Sequence, residues 1–187
     1  AVGATGSGGT GAAGGTGSGG TGGATCTPTI GQLAAATAAR FLAIDDGYVY
    51  WTDMGLAPNG GTVGKVPKCG GEPVVLAGQE VGPEGIAVHD GYVYWSSGGS
   101  EWSDWSIRRM PTSGGTPPEI LYEGFFSAQG VSVRVDDQAV YWSTSSAIFM
   151  LPHGGALPQP VTNDLDGVWG FALDDTHVYG VGSGFTI

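Results

Sequence analysis

A β-propeller built from four-stranded antiparallel blades is predicted by three observations. One phrase recurs four times, as FLAIDDGYVYWTD over residues 41–53, GIAVHDGYVYWS over 85–96, GVSVRVDDQAVYWS over 130–143 and GFALDDTHVYG over 170–180. Its equivalent positions Trp51, Trp95, Trp142 and Gly180 are 44, 47 and 38 residues apart, a blade-length period. Within each period, turn residues bracket short runs of β-branched and aromatic residues, which is the signature of strands.

The blade can be read element by element. Strand A is the apolar run at 41–44, 86–88, 131–133 or 171–173. A tight turn follows, with Asp45, Asp46 and Gly47 in the first copy; Asp and Gly suit it because they tolerate left-handed backbone and bond their own main chain. Strand B carries the Tyr/Val/Trp alternation, and both of its faces must pack because blades stack. Strand C spans 62–66, 107–110 or 147–151 and runs into Pro67, Pro111 or Pro152. A Gly-Gly turn leads to strand D at 73–76, 118–122 or 160–162, where proline is tolerable on an outer edge. Residues 26–33 read as a strand D without its own A, B and C, and 172–187 as A, B and a short C without D. Two outcomes follow: these pieces close a fourth blade together, or the chain is part of a larger ring.

Residues 1–25 are nearly all Gly, Ser, Thr and Ala. Such a segment has nothing to bury against the entropy it would lose, so a flexible tether is expected there, with the folded domain over 26–187. The 17 acidic and 6 basic residues give a net charge of −11. No basic stripe exists, so nucleic acid is not an expected partner. No apolar run reaches the roughly 20 residues of a membrane span. A tether before an acidic domain fits an extracellular or bacterial envelope protein, with a lipidated cysteine upstream as its anchor. Cys26 and Cys69 are the only cysteines. A disulfide is compatible with export, but spacing alone does not supply the separation it needs.

Tyr50-Trp51-Thr52-Asp53 is a literal YWTD. The blade around it resembles the YWTD repeat of LDL-receptor-type propellers, as in exported bacterial proteins with Gly-rich tethers. That resemblance implies six blades and says little of function, because propellers host unrelated activities. Residues 82–88, GPEGIAV, are also similar to the connector of NHL-type and antibiotic-lyase propellers, where a metal meets histidine and acidic groups at the channel mouth.

Several motif matches carry no chemistry. Residues 6–11 and 17–22 match a dinucleotide fingerprint but lack the strand before and helix after that it requires. His89, His153 and His177 fall in different blade positions and do not converge as ligands must. The Asp pairs of the A–B turns are explained by the turns, so no metal, cofactor or catalytic group is assigned. Two groups remain as ligand-facing candidates. One is the slot just before strand A, occupied by Ala39 with Arg40, Glu84, Gln129 and Trp169, where the chemistry varies while the frame repeats. The other is aromatic: Trp102 and Trp105 in the second blade's B–C loop, with Phe125 and Phe126 in the next D–A connector. Exposed aromatics anchor ligands, although blade packing also accounts for them. The reading is a non-enzymatic binding or scaffold module for a protein, peptide or glycan. The rival is a metal-dependent propeller lyase or lactonase.

Overall fold

The computed structural model describes residues 31–98, 105–124, 131–162 and 167–182, with nothing described of the Trp169 side chain. It is a β-propeller. Three sheets have four strands in sequence order. They are β1 (Ala39–Ile44) to β4 (Val74–Glu80) through β2 (Tyr48–Asp53) and β3 (Gly61–Pro67); β5 (Pro83–His89) to β8 (Glu119–Gly124) through β6 (Tyr92–Ser97) and β7 (Trp105–Pro111); and β9 (Val133–Val135) to β12 (Gln159–Thr162) through β10 (Ala139–Ser143) and β11 (Ile148–Pro152). A fourth sheet pairs β13 (Val168–Leu173) with β14 (Val178–Gly182). All pairings are antiparallel. Residues 31–33, expected at the end of a lone strand D, are not in a strand; the expected strand at 184–187 lies outside the described residues.

Each blade has two unlike faces, because side chains alternate along a strand. In the first blade Leu42, Trp51, Gly64 and Val75 stand in cross-strand register on one face. Tyr50 and Val63 lie on the other. Blades stack with the Tyr face of one on the Trp face of the next. Tyr50, Val63 and Ala77 thus meet Ile86, Val93, Trp95 and Met110. Tyr94, Trp105 and Ile107 likewise meet Val133, Val140, Trp142 and Leu151. Tyr141 and Ile148 then meet Val168 and Phe171.

The residue after the strand-B tryptophan adds a polar tie between blades. Thr52 Oγ1 donates to the Glu84 carbonyl at 2.6 Å, and Ser96 Oγ to the Val131 carbonyl at 3.5 Å. The blade's two ends differ. At one end each A–B turn is tied to its C–D turn, by Lys68 N–H to Gly47 O, Thr112 N–H to Gly91 O and His153 N–H to Gln138 O. At the other end a D–A connector meets a B–C loop, with Met54 N–H on Ala38 O and Gly98 N–H on Val81 O.

Candidate functional site

The turn end is chemically committed to its own structure. Asp45 Oδ1 accepts from Gly47 N at 2.8 Å and Tyr48 N at 2.7 Å, while Oδ2 accepts the Tyr50 hydroxyl at 2.6 Å. Burial pushes the Asp45 carboxyl up, but these donors outweigh it and hold it below the usual range. Burial and the same carboxylate raise the Tyr50 hydroxyl well above its ordinary value. Asp174 repeats the arrangement with Thr176 N, His177 N and the Tyr179 hydroxyl, and Asp136 bonds Gln138 N and Ala139 N. Only the second blade departs. His89 stands at the Asp45 position, and its Nε2 reaches Asp137 of the following blade at 3.0 Å. His153 Nε2 lies 2.8 Å from the Asp136 carbonyl, and His177 pairs with Thr176 and Asp174. The three histidines are spread over separate turns. Among the described residues, no three or more His, Cys, Asp or Glu side chains gather as a metal site.

The loop end is built differently. Strand A there carries an irregularity that recurs in three blades. Pairing slips between Ala39 and Leu42, between Pro83 and Ile86, and between Val168 and Gly170. Each slip inserts one extra residue on strand A, a β-bulge, and such bulges re-aim side chains. The hairpin register places Arg40, Glu84 and Trp169 at the same point of it, each 11 residues before Trp51, Trp95 or Gly180. This corrects part of the sequence alignment. In the third blade Val133 pairs with Trp142, as Ile86 does with Trp95. The equivalent of Glu84 is therefore Val131, two residues beyond Gln129, and in the first blade it is Arg40 rather than Ala39. Gln129 itself lies outside the described residues.

Glu84 is the best-fixed member of this ring. Its carbonyl accepts Thr52 Oγ1 from the preceding blade, and its carboxylate accepts Val131 N–H of the following blade at 2.9 Å. Next to it, Gly85 lets two A strands approach closely. A Cβ on Gly85 would lie 2.0 Å from Val131 O and 2.7 Å from Val133 N. Arg40 is exposed, with Nε 2.6 Å from Met54 Sδ. On successive blades the slot thus holds an exposed cation at Arg40, a half-buried carboxylate at Glu84 and the buried Val131.

The aromatic candidates separate. Trp105 is buried in the core between the second and third blades, and its indole covers Gly98, where a Cβ would sit 2.4 Å from Cδ2. It is a packing residue and not an exposed anchor. Trp102, Phe125 and Phe126 lie outside the described residues, as does Cys26. Cys69, in the first blade's C–D turn, is disulfide-bonded.

Two features were not anticipated from sequence. The Asp53 carboxylate clamps the connector entering the first blade, accepting from Thr37 N at 2.6 Å, Ala38 N at 3.0 Å and Gly55 N at 2.8 Å. Glu80, at the end of β4, is buried against Trp95 and Arg108 of the next blade. The YWTD spelling would have pointed to the first. Nothing in the sequence separates Glu80 from the solvated acidic residues around it.

No protein-family model matches the chain, and no curated protein matches it either. Solved structures do. A chain from the crystal structure of a nidogen–laminin complex is similar at 23% identity with a TM-score of 0.63, over 78% of this chain and 57% of that one. A gluconolactonase from Xanthomonas campestris is similar at 13% identity with a TM-score of 0.62, over 82% of this chain and 58% of that one. At these identities the likeness is one of fold, and the present chain spans less than two thirds of either structure.

Proposed function

We propose that this protein is an extracellular propeller module that binds a protein, peptide or glycan through its loop end, held off a bacterial envelope by residues 1–25. The carrying observation is the recurrent bulge at Arg40, Glu84 and Trp169. It keeps one backbone geometry in three blades while the side chain changes in charge and shape, as a recognition surface requires. At the turn end the recurring residue is instead one carboxylate, Asp45, Asp136 or Asp174, consumed in closing its own turn. The oxidised Cys69 favours a compartment outside the reducing cytosol. One similar fold comes from a complex of two proteins, which agrees with a binding role.

A second reading keeps an enzyme in view, since the other similar fold is a lactonase and Glu84 sets a carboxylate on an inner strand. Binding takes precedence because the bulge position changes from cation to carboxylate to indole across the blades. The test is a glycan and peptide array probed with the wild type and with Arg40→Ala, Glu84→Ala and Trp169→Ala, beside a lactone-turnover screen with added divalent ions. Saturable binding that the three loop-end variants weaken supports the module. Metal-dependent turnover lost in Glu84→Ala supports the enzyme instead, and silence in both assays removes the loop end as a functional site.

A further inference from the structure

We infer that a cleft between the second and third blades, beside the third blade's C–D turn, is a binding site for one neutral sugar ring. The site arises where the repeat is broken. On the first blade Lys65 stands in register with Tyr50 and Val74; on the second, Arg109 stands in register with Tyr94 and Glu119. Both cations lie over the first tyrosine of strand B, Lys65 Nζ 4.5 Å from the Tyr48 ring centre and the Arg109 guanidinium 5.0 Å from that of Tyr92. There the likeness ends. Lys65 crosses to the next blade and donates to the Thr112 carbonyl at 2.6 Å. Arg109 is held on its own blade by Glu119, which stands where the first blade has Val74 and accepts from Arg109 Nε at 2.8 Å. Leu76 completes the first closure. A Cβ on left-handed Gly114 of the second blade's C–D turn would lie 3.5 Å from Leu76 Cδ2, whereas one on left-handed Gly154 of the third blade's turn would meet nothing within 4 Å. The space left beside Arg109 is a cavity of about 180 Å³, with Glu119, Leu121, Val140, Leu151 and His153 in its lining.

The lining selects the ligand. Leu121, Val140 and Leu151 belong to the core between the two blades and give the cleft an apolar floor. Arg109 and Glu119 form a charged rim, and His153 is fixed beside them with Nε2 2.8 Å from the Asp136 carbonyl. A guanidinium has five N–H donors and a carboxylate two acceptor oxygens, so their one mutual bond leaves both kinds to spare. The two charges cancel, and an ion of either sign would meet its like on one of them. A neutral molecule with an apolar face and hydroxyls along its edge satisfies floor and rim together, which describes a pyranose. A cavity of about 150 Å³ takes a ring the size of benzene, so this one admits a single six-membered ring. The cleft shares no residue with the loop-end slot.

The test is an NMR titration of the full ¹⁵N-labelled chain with the methyl glycosides of glucose, galactose and mannose. Benzyl alcohol serves as an apolar ring of similar size and glucuronate as an anionic sugar. The amides of His153, Gly154 and Gly155 should shift saturably with at least one methyl glycoside, while those of Met54 and Gly98 at the loop end stay still. That glycoside should bind about tenfold more tightly than benzyl alcohol or glucuronate, as one charge-assisted hydrogen bond gained or lost would give. Arg109→Lys with Glu119→Val copies the first blade's pair, so it should close the cleft and abolish the shifts with circular dichroism unchanged. Glu119→Gln keeps the shape but leaves Arg109 uncompensated, so it should narrow the preference against glucuronate. The proposal is overturned if no methyl glycoside moves the three amides saturably or if the loop-end amides move instead. It also fails if benzyl alcohol or glucuronate binds as tightly, if binding survives the double substitution, or if Glu119→Gln leaves the preference unchanged.

Discussion

The indole N–H of Trp95 donates to the Glu80 carboxylate at 3.0 Å, although the two residues belong to adjacent blades. Arg108, paired across from Trp95 on β7, holds the same carboxylate at 3.2 Å. Glu80 and Trp95 are both buried. Removing one partner of such a site leaves a desolvated charge and an unpaired N–H. Glu80→Ala is therefore expected to cost about 3–5 kcal/mol. Replacing the pair together, as Glu80→Leu with Arg108→Met, should recover much of that loss, because buried ion pairs seldom beat well-packed apolar residues. Urea midpoints for the two single variants and the double give the coupling. Additive losses would mean that Glu80 and Arg108 act independently.

Asp53 makes the first blade sensitive to acid. Burial lifts its pKa, but three backbone N–H donors win and hold the carboxyl below the usual range. Because the folded pKa is depressed, the stabilisation is complete above the unfolded value of about 3.9 and is lost as pH falls through the folded value. Asp53→Asn cannot gather the same charge-assisted bonds and should cost about 1.5–3 kcal/mol near neutral pH. The gap between wild type and variant should close as unfolding is followed from pH 6 down to about 2. A gap that stays constant with pH would deny the carboxylate this role.

The fold was legible because the repeat is written in side chains that blades need. Trp51, Trp95 and Trp142 sit where the alternation places them, and Asp45, Asp136 and Asp174 close the turns that their spacing announced. The loop end was harder to read. In the third copy Val131, Val133 and Val135 alternate with period 2, so a two-residue slip keeps the same faces and sequence alone sets Gln129 where Val131 belongs. Trp105 looked like an exposed loop aromatic because its cover comes from Gly98, whose missing side chain leaves room for the ring and no positive signal in the sequence. Glu80 illustrates the general difficulty. Its partners are 15 and 28 residues away in the next blade, and only stacking brings them together.

Trp105 should behave in mutation like a core tryptophan. It packs in the same cluster as Trp142, whose ring stacks on Tyr122 at 5.5 Å and on Phe149 at 6.0 Å between centroids. Trp105→Ala and Trp142→Ala are each expected to cost about 3–5 kcal/mol, as large-to-small core changes do. Trp105→Phe should recover part of that cost, because an aromatic ring still covers Gly98. Melting curves of the three variants decide the matter. A neutral Trp105→Ala would return this residue to the list of exposed anchors.

Gly85 tests the inner ring most directly. Its backbone is not in the left-handed region, so alanine would be conformationally acceptable there. The obstacle is space, with a Cβ 2.0 Å from Val131 O and 2.7 Å from Val133 N. Both neighbours are backbone atoms of the next blade's inner strand and its approach, and they cannot yield as a flexible side chain would. Gly85→Ala should therefore reach or exceed the upper end of the roughly 1–3 kcal/mol usual for overpacking. Gly91 provides the opposite control. It has open space but a φ of +74°, so Gly91→Ala pays for conformation alone, on the order of 1 kcal/mol. Gly85→Ala should also draw the Glu84 carboxylate away from Val131 N–H, and with it any affinity that depends on Glu84. The ordering of the two urea midpoints is the decisive measurement. Should Gly85→Ala prove no more costly than Gly91→Ala, β5 and β9 do not approach as closely as described, and the fixed position argued for Glu84 fails with them.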